Sequence, residues 1–170
     1  GKFIYQKPKM WNVYQLETFH LNKRLRGISE ICFVLRAKVH IKGFWFKRYN
    51  RAWQILVAGE CDKIYGDSFE RAGEEIHQIG NNVTIRFEQM DFGEKGTKSL
   101  VICGSTPLEK NTIILKFAKD GVEEQRMVEF MGTKTKQSFE IEPIYGVNDV
   151  SLVFLPGSNF NFTSICFCEA

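Results

Sequence analysis

Short β-strand patterns recur along most of the chain and limit its possible folds more than any other feature. About ten segments are rich in β-branched and aromatic residues, and Gly, Asn and Asp separate them as turn residues. The predicted strands cover residues 18–21, 28–35, 38–46, 83–87, 99–103, 112–117, 126–130, 137–141, 149–155 and 160–168. Residues 52–56 are the one helical candidate, with room for a single turn.

A succession of strands without intervening helices predicts an all-β fold, namely an antiparallel β-sandwich of the jelly-roll type. The 170 residues suit one domain with a sizeable core. Residues 1–17 mix Lys with aromatic residues and show no clear period. We therefore expect a linker or extension at 1–17 and one β-sandwich domain at 18–170.

The last two predicted strands are joined by a cluster of turn residues, Pro156-Gly157-Ser158-Asn159, and are predicted to form a terminal β-hairpin. A turn with amides beside aromatic rings can bind a sugar, or it can simply close a sandwich. Period-2 alternation predicts two faces for the last strand, with Asn161, Thr163, Ile165 and Phe167 on one and Phe160, Phe162, Cys166 and Cys168 on the other.

The charge is unevenly placed along the chain. Residues 1–55 carry 12 Lys/Arg against two acids, whereas residues 56–170 carry 11 Lys/Arg against 18 acids. The basic residues are interleaved with apolar ones, which favours a segment that packs on an acidic body or a neighbouring domain over a nucleic-acid-binding arm. No apolar run is long enough to span a bilayer. We expect neither nucleic acid nor a membrane as a partner.

The five cysteines are odd in number and irregular in spacing, which argues against a disulfide framework. Reduced thiols favour a cytoplasmic over a secreted origin, and no signal segment is present in the sequence. The chain begins with Gly1 rather than Met, so we expect it to be a piece of a larger protein.

Motifs for catalysis and metal binding are absent from the sequence. The three histidines lie far apart, and no G-x-S-x-G or H-E-x-x-H pattern occurs. The acidic pairs at 74–75 and 123–124 are adjacent in polar segments, where solvated charges are the simplest interpretation. The sequence therefore predicts that this fragment is not an enzyme.

Several motifs together resemble one family. They resemble the C-terminal non-catalytic region of bacterial family 2 glycoside hydrolases of the β-galactosidase type, which is similar to family 6 carbohydrate-binding modules. The resemblance covers the chain from about residue 18 to its end. The motifs that carry it are VHIKGFWF (39–46), YNRAW (49–53), AGECDKIYGDSF (58–69), IGNNVTIRF (79–87), MDFG (90–93), ICGSTPLEKNTI (102–113) and FLPGSNFNF (154–162).

This resemblance implies a galactose-binding-like jelly roll attached to a hydrolase. The family 2 catalytic glutamates lie in a separate (β/α)8 barrel, which 170 residues of β pattern cannot supply. The implied partners are a glycan or galactoside and the rest of a parent glycoside hydrolase.

The resemblance also implies particular site residues. Asn161 matches the asparagine that donates hydrogen bonds to sugar in family 6 modules, while Thr163 and Ser164 replace the Asp and Trp that follow it. The stretch matching a stacking Trp and Tyr, residues 80–85, has no aromatic residue. A structural Ca²⁺ is held by acids in that family, and Glu60 is the matching acid here.

Sugar binding requires a flat aromatic face and amides or carboxylates that bridge hydroxyl groups. Two functions stay open on this basis: a carbohydrate-binding accessory module, and a structural module without a ligand that packs on the catalytic domains or mediates assembly. The candidate binding residues are the amides Asn161, Asn159, Asn81 and Asn82 and the rings Trp53 and Tyr49.

Overall fold

The structure, a computed structural model, describes residues 3–6, 13–21, 25, 28–46 and 50–169, and the chain divides into two units, 1–47 and 48–170. The described residues of the first unit contain no helix or strand, and none of them is buried. The strands predicted at 18–21, 28–35 and 38–46 are therefore wrong. A strand needs a hydrogen-bonded neighbour and a packed face, whereas apolar residues such as Phe33 and Trp45 stay exposed here.

The second unit holds eleven strands in its described residues. The strands predicted from residue 83 onward are confirmed, and four short strands before them had not been predicted. Their bounds are β1 (Leu56–Val57), β2 (Lys63–Tyr65), β3 (Glu70–Ala72), β4 (Glu75–Ile79), β5 (Val83–Asp91), β6 (Thr97–Ser105), β7 (Lys110–Lys119), β8 (Val122–Met131), β9 (Lys136–Ile144), β10 (Val147–Phe154) and β11 (Phe160–Glu169).

Helical structure is confined to a single 3-10 turn, Ala58–Glu60, within the described residues. The helical turn predicted at 52–56 is instead a tight turn, in which Gln54 N–H donates to the Arg51 carbonyl at 3.0 Å, followed by β1. In the part of the chain that the structure describes, no helix has the length and apolar character needed to cross a membrane.

Two antiparallel sheets build the second unit, which confirms the predicted all-β antiparallel sandwich. The first sheet has the order β3-β4-β11-β6-β9, with β1 paired to β11, and the second has the order β2-β5-β10-β7-β8. Their inner faces enclose a core that is rich in phenylalanine. Rings from opposite sheets meet there, for example Phe117 of β7 and Phe167 of β11 at 6.1 Å between centroids.

The terminal hairpin prediction is wrong, because β10 and β11 belong to different sheets. The connection between them crosses the sandwich through a turn in which Ser158 N–H donates to the Leu155 carbonyl at 3.2 Å. The two strands consequently pack face to face, with Phe154 and Phe160 rings 5.2 Å apart. Turn residues between two alternating segments fix the reversal of the chain, but not which edge the next strand joins.

The predicted faces of β11 are also wrong after Phe162. The pairing of β11 with β6 shifts register between Phe162 and Ser164, as at a β-bulge, and this displaces the alternation by one residue. The residues buried at 0–2% exposure are Phe160, Phe162, Ile165 and Phe167. Cys166 and Cys168 therefore lie with Asn161 on the outer face, where Cys166 is half-buried and Cys168 exposed.

Thiol labelling tests this register. In the native protein we expect a disulfide reagent to react rapidly with the exposed Cys168 and to leave the buried Cys61 untouched until unfolding. Burial raises the pKa of Cys166, so its labelling should be slower and should increase with pH well above neutrality. Mass spectrometry of tryptic peptides after timed labelling measures each rate. Protection of Cys168 equal to that of Cys61 would contradict the bulge.

Candidate functional site

A cavity of about 590 Å³ opens at the end of the sandwich where β4 and β6 finish and β11 begins. Its walls come from segments that are distant in sequence and that strand pairing brings together, because β11 pairs with both β4 and β6. The lining residues are Ser68, Gln78, Gly80, Ser105, Thr106, Pro107, Asn159 and Asn161.

Most of the side chains that line this cavity, here called the amide cavity, are polar, and none is ionisable. Three residues contribute hydroxyl groups and three contribute side-chain amides. Hydroxyl and amide groups both donate and accept hydrogen bonds, so the wall can match a ligand whose polar groups do the same. Nothing in the lining compensates a ligand charge, which favours a neutral polar compound.

Asn161 stands at the entrance of β11 and is held by the backbone of β4. Its Oδ1 accepts the Gln78 N–H at 2.9 Å, and Gln78 itself has a left-handed φ of 51°. The Nδ2 group has no partner among the described residues and remains available as a donor. On the other side of β11, Gly104 of β6 allows the two strands to lie close together at this point. A Cβ at Gly104 would lie 2.5 Å from the Asn161 carbonyl oxygen and from the Phe160 ring.

A buried polar cluster supports the amide cavity from below. Asn111, which is 3% exposed, donates from Nδ2 to Thr106 Oγ1 at 3.2 Å and to the Ser158 carbonyl. The Thr106 hydroxyl also donates to the Ser158 carbonyl at 3.2 Å and accepts the Leu108 N–H at 3.3 Å. These bonds join the β6–β7 loop to the β10–β11 loop and hold both walls in place.

The other predicted amides occupy different positions at the same end. Asn159 lines the amide cavity, is exposed and has a left-handed φ of 44°. Asn81 lies outside the lining, and its Oδ1 accepts the Gly157 N–H at 2.9 Å, so it holds the turn after β10. Asn82 is exposed in a turn with φ of 48°, a conformation that asparagine tolerates better than most residues.

The predicted stacking rings are not brought to the amide cavity. Tyr49 lies outside the described residues. Trp53 lines a second cavity, at the other end of the sandwich, together with residues that follow β5 and with the end of β11. The structure thus brings together Asn159 and Asn161 and places Trp53 away from them.

Glu60, the predicted calcium ligand, is exposed on the 3-10 turn. Ca²⁺ takes about six to eight oxygen ligands, usually with several carboxylates. The described residues include no group of three or more His, Cys, Asp or Glu side chains arranged to hold a metal ion. Thr163, which stands where the family has a second acid, bonds through Oγ1 to Glu75 at 3.3 Å. The described residues thus show no carboxylate cluster of the kind that this ion uses.

Sequence reasoning missed Gln78, Ser105 and Thr106 as lining residues. All three lie outside the strands that the sequence predicts. The signal that could identify them is a polar residue at the end of a strand that neighbours β11, because such residues lie at the same edge of the sheet as Asn161. The order of strands in the sheet is required before that signal can be used.

Comparisons with known proteins identify the fold. No protein-family model matches the chain, and no curated protein matches it. A family 6 carbohydrate-binding module from Clostridium stercorarium in complex with cellobiose matches with a TM-score of 0.56 at 22% identity, over 70% of this chain and 95% of that one. A family 6 module from Clostridium cellulolyticum in complex with xylose gives 0.57 at 20% identity, over 69% and 98%.

A further match broadens the comparison. A carbohydrate-binding module of family 36, in complex with calcium and xylotriose, matches with a TM-score of 0.52 at 16% identity, over 68% of this chain and 99% of that one. At these identities the likeness establishes the fold, a two-sheet sandwich of the kind seen in these modules.

Removal of the buried amide beneath the cavity tests its supporting role. We expect Asn111→Ala to lower the free energy of unfolding by about 1–3 kcal/mol, because it leaves buried oxygens of Thr106 and Ser158 with fewer partners. Urea unfolding followed by circular dichroism measures the change. Gln125→Ala removes an exposed amide on β8 and should cost less than about 0.5 kcal/mol. Equal costs for the two variants would show that the cluster does not stabilise the loops.

Proposed function

We propose that the sandwich formed by residues 50–169 is a non-catalytic carbohydrate-binding accessory module and that a glycan occupies the amide cavity. The observation that carries this proposal is the uncharged lining, in which three side-chain amides and the hydroxyl groups of Ser68 and Ser105 surround a space of about 590 Å³. The third hydroxyl group, that of Thr106, is engaged within the protein. That volume lies within the range of roughly 300–1,000 Å³ that small-molecule sites occupy.

The chemistry of the lining suits a sugar. Each sugar hydroxyl both donates and accepts, and a wall of amides and hydroxyls can meet either requirement without a charged group. In this proposal Asn161 donates from Nδ2, because its Oδ1 is already engaged by Gln78 N–H. Asn159, two residues earlier in the chain, contributes a second amide to the same lining.

The absence of an acid–base pair in the amide cavity supports a binding rather than a catalytic role. Glycoside hydrolysis requires two carboxyl groups flanking the bond that breaks, and the lining contains none. We infer that catalysis belongs to another part of a parent glycoside hydrolase. The sequence motifs, ICGSTPLEKNTI and FLPGSNFNF among them, support a bacterial enzyme of the β-galactosidase type as that parent.

A structural module without a ligand is the second candidate, and one observation favours it. No aromatic ring is among the residues lining the amide cavity, whereas sugar sites commonly place a ring against the C–H face of a pyranose. Under this alternative the polar rim meets another domain of the parent and helps its assembly.

A conservative substitution at Asn161 separates the two candidates. Asn161→Asp keeps the Oδ1 acceptor for Gln78 N–H and removes the Nδ2 donor, so the fold should be retained while glycan affinity falls at least about tenfold. Calorimetric titrations with cellobiose, xylose, xylotriose, lactose and galactose measure binding.

Asn82→Gly is the matched control. It removes an amide at the same end of the sandwich but outside the cavity, and glycine adopts the left-handed φ of that position readily. The glycan affinity of the Asn82→Gly variant should equal that of the unmodified chain. No binding of any of these sugars at millimolar concentration would exclude the binding role for them and favour the structural module.

A further inference from the structure

We propose that the second cavity, around Trp53, is an additional sugar site that takes a single neutral pyranose ring. This inference rests on the proposed function but concerns different residues. The cavity measures about 320 Å³ and is lined by Asn50, Trp53, Asp91, Phe92, Gly93, Glu94, Lys95 and Glu169. We call it the Trp53 cavity.

The two cavities lie at opposite ends of the same strands. β6 runs from Thr97, which follows the loop of the Trp53 cavity, to Ser105, which lines the amide cavity. β11 runs in the other direction, from beside Asn161 to Glu169. A strand of 10 residues spans about 30 Å at roughly 3.3 Å per residue. A monosaccharide cannot reach both cavities, so they are independent sites.

The Trp53 ring packs against the core on one side and is partly exposed to the cavity on the other. It meets the Phe92 ring edge-on, with centroids 5.6 Å apart and planes at 67°. Phe92 is 1% exposed and packs in turn on Phe167 at 5.1 Å. An aromatic ring that is backed by the core loses little freedom when a ligand stacks on it, which favours binding.

Asn50 positions the segment that carries Trp53. Its Nδ2 donates to the Asp91 carbonyl at 2.7 Å, and its Oδ1 accepts the Ala52 N–H at 3.0 Å. Both ends of the amide are therefore used within the protein. These bonds tie residues 50–52 to the end of β5, beside the polar groups of the cavity.

The polar groups of the Trp53 cavity provide the second element of sugar recognition. Asp91 accepts the Gly93 N–H through Oδ1 at 2.9 Å, which orients its carboxylate and leaves Oδ2 without a partner among the described residues. Glu94 is exposed, and Lys95 and Glu169 form an exposed ion pair at 3.2 Å. Carboxylate and ammonium groups beside a ring can bind vicinal hydroxyls while the ring covers the C–H face.

Size and charge define the ligand. The volume lies near the lower end of the range for small-molecule sites, which is enough space for one sugar ring. The rim carries three carboxylates and one ammonium group. Its net negative charge disfavours uronic acids, whose own carboxylate would be repelled. The proposal is therefore limited to neutral pyranoses.

Nuclear magnetic resonance of the complete 170-residue chain tests the proposal through the indole N–H signals of its three tryptophans. The signal of Trp53 is assigned by its loss in Trp53→Phe. Methyl glycosides of glucose, galactose and xylose should shift the Trp53 signal saturably, and glucuronic acid should not. The shift should persist in Asn161→Asp, because that residue belongs to the other cavity.

Two substitutions test the polar groups without disturbing the core. Asp91→Asn retains the Oδ1 acceptor for Gly93 N–H, and Glu94→Gln retains the shape of an exposed side chain. Each should lower the sugar affinity measured from the Trp53 signal at least about tenfold. Glu140→Gln, an exposed change on β9 outside both cavities, is the control and should leave it unchanged.

The outcomes distinguish this inference from the proposed function. If sugars bind and Asn161→Asp abolishes all binding while the Trp53 signal never moves, the second site is refuted and the function proposed for the amide cavity stands. If the Trp53 signal responds to neutral sugars while the amide cavity binds none, the second site stands alone. If no sugar is bound by either cavity, both proposals fail. Equal shifts with glucuronic acid overturn the assignment of a neutral ligand.

Discussion

The central position of β11 in the first sheet is the constraint on which the rest of the structure depends. It pairs with β6 along one edge and with β4 and β1 along the other, so its backbone polar groups are satisfied from both sides. The bulge after Phe162 keeps Phe160, Phe162 and Phe167 on the inner face. An unbroken alternation would bury Cys166 and turn Phe167 toward water, at a cost of about 1.5–3 kcal/mol for such a ring.

The same strand relates the two candidate sites. Asn161 at its beginning is oriented by β4 over an uncharged cavity, and Glu169 at its end borders a cavity with a ring and several charges. Because a paired strand in the middle of a sheet is stiff, the distance between these sites is set by its length. The two cavities can differ in the ligand that they select, because the loops that form their walls are unrelated in sequence.

Much of the fold could be predicted because the strands from β5 onward are long and alternate regularly. β1 to β4 have only two to five residues each, too few to establish a period, and they were missed. The segments at 28–35 and 38–46 have the composition of strands but no pairing partner in the described structure, so a prediction from composition alone is wrong there. For the site, Asn159 is predictable because it belongs to a turn cluster, and Asn161 because it directly follows that cluster. Gln78 and Ser105 are recognised as neighbours of these amides only once β4 and β6 are placed beside β11.

The sequence by itself determined the all-β class, the positions of the longer strands and the polar character of the turn before β11. Those properties follow from local periodicity and from the conformations that Gly, Asn and Pro allow. Only the tertiary structure decided that β10 and β11 lie in different sheets, that a bulge exchanges the faces of β11, and that Trp53 and Asn161 stand at opposite ends. Each of these depends on hydrogen bonding and burial between residues far apart in the chain, which no local pattern records.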